Sequence, residues 1–272
     1  MQQDLSSTNP IGIFDSGVGG LTVANAICQL LPHENTIYFG DTIHLPYGDK
    51  SSEAVKNYAI RITEFLLEKK CKMVVVACNT ASAAAFELLK KQFGNKILLV
   101  DVIDPMVNYV QEHFAKNKIG IIATKGTIAS KVYESKLANV GVDDVQSLAT
   151  PLLVHLIEEG FSQHTGSQLL VQEYLRSKEL RKIDVLVLAC THYPILKNTI
   201  EEFYHHEVKV LDSTEITALA VKEKLQSQNL LNPSGNGKHE FYVSDFTKAF
   251  EDIAQLFYGK QIHLERMNIW KE

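Results

Sequence analysis

Long apolar runs are missing from this sequence. None approaches the ~18 residues that a membrane-spanning helix requires. A basic surplus is missing too: 27 Lys and Arg stand against 32 Asp and Glu, a formal net charge of −5. Nucleic-acid binders usually show a basic face, so this balance speaks against that class. It does not speak against an anionic substrate, because a few local dipoles can hold one carboxylate. Cysteine is scarce. The four thiols lie at 28, 71, 78 and 190, and no two form a C-x-x-C pair. That spacing argues against a zinc knuckle or a dithiol redox motif. The first ten residues, MQQDLSSTNP, lack a basic patch followed by an apolar stretch. They do not read as a secretion signal, so reduced thiols in the cytoplasm are the expectation.

What is present is a rhythm. Short apolar runs at Ile11–Phe14, Thr36–Phe39, Met73–Ala77, Ile97–Val100, Ile119–Ala123, Ile183–Ala189, Val208–Leu211 and Glu240–Val243 read as strands. Helical segments are expected between them, at Gly20–Leu31, Thr80–Phe93, Pro105–Phe114, Ile128–Val140, Pro194–Tyr204 and Thr214–Gln226. A further helix follows from Val55, Tyr58, Ile62, Phe65 and Lys69, which recur at helical spacing. Alternating βα units with strands apolar throughout imply mostly parallel sheets covered by helices on both faces. The expected fold class is therefore α/β, doubly wound.

A faint internal repeat refines this. Ile11-Gly12-Ile13-Phe14 resembles Ile119-Gly120-Ile121-Ile122, and VVVACNT ending at Thr80 resembles LVLACTH ending at His192. Ile11 precedes Cys78 by 67 positions, and Ile119 precedes Cys190 by 71. Two similar α/β units are implied. We divide them as residues 1–100 plus 212–272, and 101–211. A pseudo-twofold between them would bring equivalent strand ends together, with the site in the cleft. Ligands of open α/β sheets bind beyond the carboxyl ends of the strands. Cys78 and Cys190 both follow such an end, so one thiol would approach a ligand from each side.

Each cysteine opens a polar turn. After Cys78, Asn79 or Thr80 can cap the next helix. Its first N–H groups and its dipole then favour negative charge beside the thiol. After Cys190 come Thr191 and His192, with Pro194 suited to a first helical turn. A cysteine at a strand end is often only a small buried hydrophobe. The matched pair of turns favours function over packing. Cys28, within a helix, and Cys71, in a Lys-rich loop, lack such surroundings and read as structural. In FDSGVGG, Asp15 and Ser16 end the first strand, and Gly17, Gly19 and Gly20 allow close backbone approach and positive φ. The run is neither G-x-G-x-x-G nor a Walker A sequence, which speaks against nucleotide binding.

The stretches FDSGVGGLTV, YFGDT, PYG, ACNTAS, ATKGT, ACTHYP and LDST, in that order, resemble the glutamate racemases of the aspartate/glutamate racemase family. The resemblance runs from about residue 11 to about residue 214. It implies an isomerase that interconverts L- and D-glutamate, with no cofactor and no metal. D-Glutamate of this origin serves peptidoglycan synthesis and so cell shape. Carried over by position, Cys78 and Cys190 match the two acid/base thiols, with Asp15 assisting Cys78 and His192 assisting Cys190. Asp15, Ser16, Tyr47, Gly48, Asn79, Thr80, Thr191 and His192 match substrate-binding positions. Thr124 and Thr127 fall in a loop near the substrate, and Glu158 matches an acidic position near the pocket. The expected partners are a small-molecule substrate and a second copy of the chain, with no nucleic acid and no membrane. The chain departs from the family at Ile43-His44-Leu45, before PYG, and at Thr214, where Ala is usual. Alternatives on the same residues are an aspartate racemase or related small-acid isomerase, a thiol hydrolase, and a non-catalytic two-lobed binding protein. A hydrolase does not explain why the cysteine turn occurs twice.

Overall fold

The computed structural model describes residues 5–162, 164–246 and 248–270, without the side chains of 248 and 249. The chain begins with β1 (Ile11–Asp15), α1 (Leu21–Leu30), β2 (Thr36–Gly40), α2 (Ser52–Glu68), β3 (Met73–Val76), α3 (Asn79–Phe93), β4 (Leu98–Asp101) and α4 (Ile103–Phe114). It continues with β5 (Ile119–Ala123), α5 (Lys125–Ser130), α6 (Val132–Asn139), β6 (Val145–Ala149), α7 (Leu152–Glu158), α8 (Thr165–Leu175), β7 (Val185–Ala189), α9 (Lys197–Phe203) and β8 (Lys209–Asp212). The last elements are α10 (Ser213–Ser227), β9 (His239–Val243), α11 (Lys248–Tyr258) and β10 (Glu265–Arg266).

Two sheets form, one in the order β10-β9-β2-β1-β3-β4 and one in the order β6-β5-β7-β8. Every pairing in both is parallel. The order β2-β1-β3-β4 in the first sheet is the order β6-β5-β7-β8 in the second. The repeat seen in the sequence is thus a repeat of topology. In each unit the chain jumps over its first strand to reach its third. The switch point lies between β1 and β3 in one sheet and between β5 and β7 in the other. Crevices at such points hold ligands in open α/β sheets.

The strands are apolar because both faces are covered. Ile11 and Ile13 of β1 and Met73 and Val75 of β3 belong to a core shared with α1, α4 and the second sheet. Phe14, Val74 and Val76 point the other way, into a second core beneath α2 and α3. Each such side chain contributes roughly 1.5–3 kcal/mol when fully buried. α1 packs on α10, and α10 on α4, so the helix after β8 returns to the first sheet.

Several elements differ from the sequence-based expectation. The helix expected over 128–140 is two, broken at Lys131, whose φ of 53° is left-handed. The segment expected as a helix from Pro194 opens with a 3₁₀ turn, Tyr193–Leu196. β6, α7, α8, α11 and β10 were not expected. No helix among the described residues is long and apolar enough to cross a membrane.

Candidate active site

The carboxyl ends of β1 and β3 meet those of β5 and β7. At the end of β1, the Asp15 carboxylate accepts the backbone N–H of Gly20 at 2.9 Å and of Gly17 at 3.3 Å. This folds the glycine turn back over the strand and starts α1. The Thr191 hydroxyl, from the second sheet, donates to the other Asp15 oxygen at 3.4 Å. The glycines do permit close approach, and what approaches is the second cysteine turn. A Cβ on Gly19 would lie 2.5 Å from Thr191 Oγ1 and 2.6 Å from His192 Nδ1.

At the end of β3 the helix cap is neither Asn79 nor Thr80. Cys78 itself is the N-cap of α3, and its Sγ accepts the N–H of Ala81 at 3.5 Å. Asn79 and Thr80 already lie inside the helix, so their side chains are free for other partners. Ser16 Oγ lies 3.8 Å from Cys78 Sγ. Burial pushes the Cys78 thiol above its ordinary range, and the charges of Asp15 and Cys190 push the same way. The Ala81 N–H and the Ser16 hydroxyl oppose them.

At the end of β7, Cys190 Sγ lies 3.7 Å from His192 Nδ1. The other ring nitrogen, Nε2, is 2.5 Å from Glu158 Oε1 at the end of α7. Burial works against charge on this imidazole, but hydrogen bonds to Cys190 and Glu158 outweigh it and raise His192 well above its usual value.

At the end of β5, Thr124 caps α5 by accepting the N–H of Thr127. The hydroxyls of Thr80, Thr124 and Thr127 form a cluster with separations of 2.8, 3.1 and 3.3 Å. It joins α3 of the first unit to α5 of the second. Gly48 sits against it: a Cβ there would be 2.6 Å from Thr124 Cβ. The Tyr47 hydroxyl points elsewhere, donating to Asp41 Oδ2 at 2.7 Å. The backbone of the Tyr47–Gly48 turn, not the phenol, is what the junction receives.

All thirteen residues expected at the site therefore lie at or beside the junction. The sequence reading missed two that support them. Asp41 gathers Tyr47, His44, Ser244 and the Trp270 indole. Tyr133 donates to Asn79 Oδ1 at 2.7 Å. Tyr133 carries no motif signal, whereas Asp41 stands within the YFGDT stretch, which could have pointed to it. Cys71 is fully buried with its thiol pushed up to about 12 by burial, as suits a structural residue. Among the described residues no cluster of His, Cys, Asp and Glu is arranged to hold a metal ion.

Fold and site together define a two-unit α/β protein with one strand-end thiol per unit at a shared, closed junction. The chain matches the Asp/Glu/Hydantoin racemase family over residues 21–221, and it belongs to that family. A glutamate racemase from Geobacter metallireducens is 43% identical over 254 residues, covering 93% of each chain. Among solved structures, glutamate racemase from Francisella tularensis in complex with D-glutamate aligns with a TM-score of 0.90. It is 34% identical and covers 97% of this chain and 99% of that one. A glutamate racemase isoform from Bacillus anthracis aligns with a TM-score of 0.91 at 36% identity, covering 96% and 98%.

Proposed function

We propose that this protein is a cofactor-independent glutamate racemase working through two thiols. The observation that carries the reading is the repeated strand order, with Cys78 and Cys190 following its third strand in each unit. Racemisation removes the α-hydrogen from one face of the substrate and returns a proton to the other. One thiolate takes the proton, leaving a carbanion at Cα, and the opposite thiol then donates its own. The two sulfurs exchange protonation states, so a matched pair serves both directions. Cys78 deprotonates D-glutamate and Cys190 L-glutamate.

The remaining residues fix the substrate and temper its charge. Asn79, Thr80, Ser16, Thr191 and the backbone of Tyr47–Gly48 donate to carboxylate oxygens, with Thr124 and Thr127 behind Thr80. Such preorganised donors stabilise the carbanion more than the ground state. Burial, and after it the Asp15 charge, holds the Cys78 thiol up; Asp15 receives the α-ammonium group, whose positive charge offsets that second contribution. His192, held by Glu158, serves Cys190. Exclusion of water from the closed junction strengthens all of these interactions.

We place the unit boundaries at residues 100 and 212, and read the protein as a cytoplasmic homodimer supplying D-glutamate for peptidoglycan. The test is incubation with L-glutamate in heavy water without added cofactor, following the α-hydrogen by NMR together with optical rotation. Loss of both signals is expected. With pure enantiomers, Cys78→Ser is expected to block exchange from D-glutamate most and Cys190→Ser from L-glutamate. Unchanged signals for glutamate would sink the assignment.

A further inference from the structure

The Asn79 side chain is buried at 2% exposure, and its Nδ2 has no hydrogen-bond partner among the described residues. A buried amide N–H₂ left unpaired is costly, so its presence calls for a ligand. Its orientation is not free. Asn79 stands in the first turn of α3, in the first unit. Its Oδ1 accepts the Tyr133 hydroxyl at 2.7 Å, and Tyr133 lies on α6 of the second unit, itself fully enclosed. We propose that Tyr133 is a positioning residue: its hydroxyl locks the Asn79 amide so that the N–H₂ group, and not the carbonyl, faces the substrate carboxylate.

The chemistry favours one arrangement. An amide presents a donor on one side and an acceptor on the other, nearly equal in shape. Turned the wrong way, Asn79 would offer an oxygen to an anion. A neutral phenol can accept as well as donate, but its own proton needs an acceptor, and the structure gives it Asn79 Oδ1. Burial, followed by the charges of Asp101, Cys190 and Asp104, keeps that proton on Tyr133. Because the lock comes from the opposite unit, the donor is set only when the two units are docked. The left-handed break at Lys131 ends α5 and starts α6 two residues before Tyr133. Substrate affinity is thereby coupled to packing between the units.

This inference rests on the racemase reading, and its test fails separately from it. The readout is calorimetric affinity for D-glutamate, which needs no turnover. Tyr133→Phe keeps the ring and removes the hydroxyl; affinity is expected to fall about tenfold, alongside the small drop in melting midpoint that an unpaired Asn79 oxygen brings. In an Asn79→Ala background the same change is expected to do nothing further, because the group it orients is gone. An unchanged affinity, or an equal loss in both backgrounds, overturns the proposal. So does a lowered melting midpoint without loss of affinity, which makes the hydroxyl structural. A wild-type protein that binds D-glutamate without exchanging its α-hydrogen would defeat the racemase reading and leave this comparison standing.

Discussion

Cys78 and Cys190 hold equivalent places in the repeat, yet their neighbours differ. Cys78 sits at a helix cap beside a carboxylate, with only a backbone N–H and a serine hydroxyl to favour its anion. Cys190 sits beside an imidazole that is itself paired with Glu158. The two sulfurs are therefore not interchangeable, and the His192–Glu158 pair is the part of the difference open to a pH test. Because the folded pKa of His192 is raised, the pair stabilises fully below the unfolded value of about 6.5. That contribution is lost as pH rises through the raised folded value. Glu158→Gln removes the charged acceptor, at an expected cost on the order of 2 kcal/mol at pH 6. Melting curves of wild type and variant should be far apart at pH 6 and converge on the alkaline side. A gap that widens as pH rises would contradict the assignment of charge to His192.

The elements show where sequence reading succeeds and where it stops. β1, β3, β5 and β7 were legible because central parallel strands are apolar on both faces, and the cysteine turns were legible as breaks in those runs. β6 was not: its VQSLA is only partly buried, at a sheet edge, and its polar Gln146 and Ser147 mask the run. The seven residues of α7 span barely two turns, too few for periodicity to show. α11 did carry a helical pattern in Phe250, Ile253, Ala254 and Phe257, which follows a region of weak signals. The break at Lys131 has no Gly or Pro to announce it; beside their shared neighbour β6, α5 packs on α3 and α6 on α4. Motifs pointed to the thirteen candidate residues gathered at the junction, but only the three-dimensional structure could show that Cys78 caps α3. The glycine turn was legible as a close approach, but none of Gly17, Gly19 and Gly20 adopts the positive φ also expected there. Its partner was out of reach because Thr191 lies 172 positions beyond Gly19. Here an element-level prediction applies. Gly19→Ala places a methyl group 2.5 Å from Thr191 Oγ1, forcing the two turns apart. An ångström of misplacement at reacting groups costs about 100-fold in rate. Steady-state racemisation should fall by that order, whereas Gly166→Ala, which meets nothing within 4 Å, should leave the rate unchanged. Equal rates for the two variants would mean that the turns need not touch.

On the scale of the whole molecule, the carboxyl ends of the strands carry the candidate site and the amino ends carry the chain's closures. Lys72, one residue before β3, is fully buried and lies 2.5 Å from Glu34. Its ammonium also donates to the carbonyls of Ser7 and Leu230, while Glu34 accepts the N–H of Asn232. One ion pair thus ties together the N-terminal segment, the turn before β2 and the connection between α10 and β9. Burial pulls the Lys72 pKa down, and Glu34 only partly restores it. The pair is therefore a desolvated one whose merit lies in being complete. Removing one partner leaves the other charge buried and alone, at a cost of about 3–5 kcal/mol. Lys72→Met should lower the urea midpoint by a corresponding amount. Adding Glu34→Leu should recover much of it, because two apolar side chains carry no unpaired charge. The site lies at the far end of the same strands, so the rate per folded molecule should stay close to wild type in both variants. A Lys72→Met protein with intact stability but reduced racemisation would show that the two ends of the sheet are not separate. The division of labour drawn from the topology would then fail.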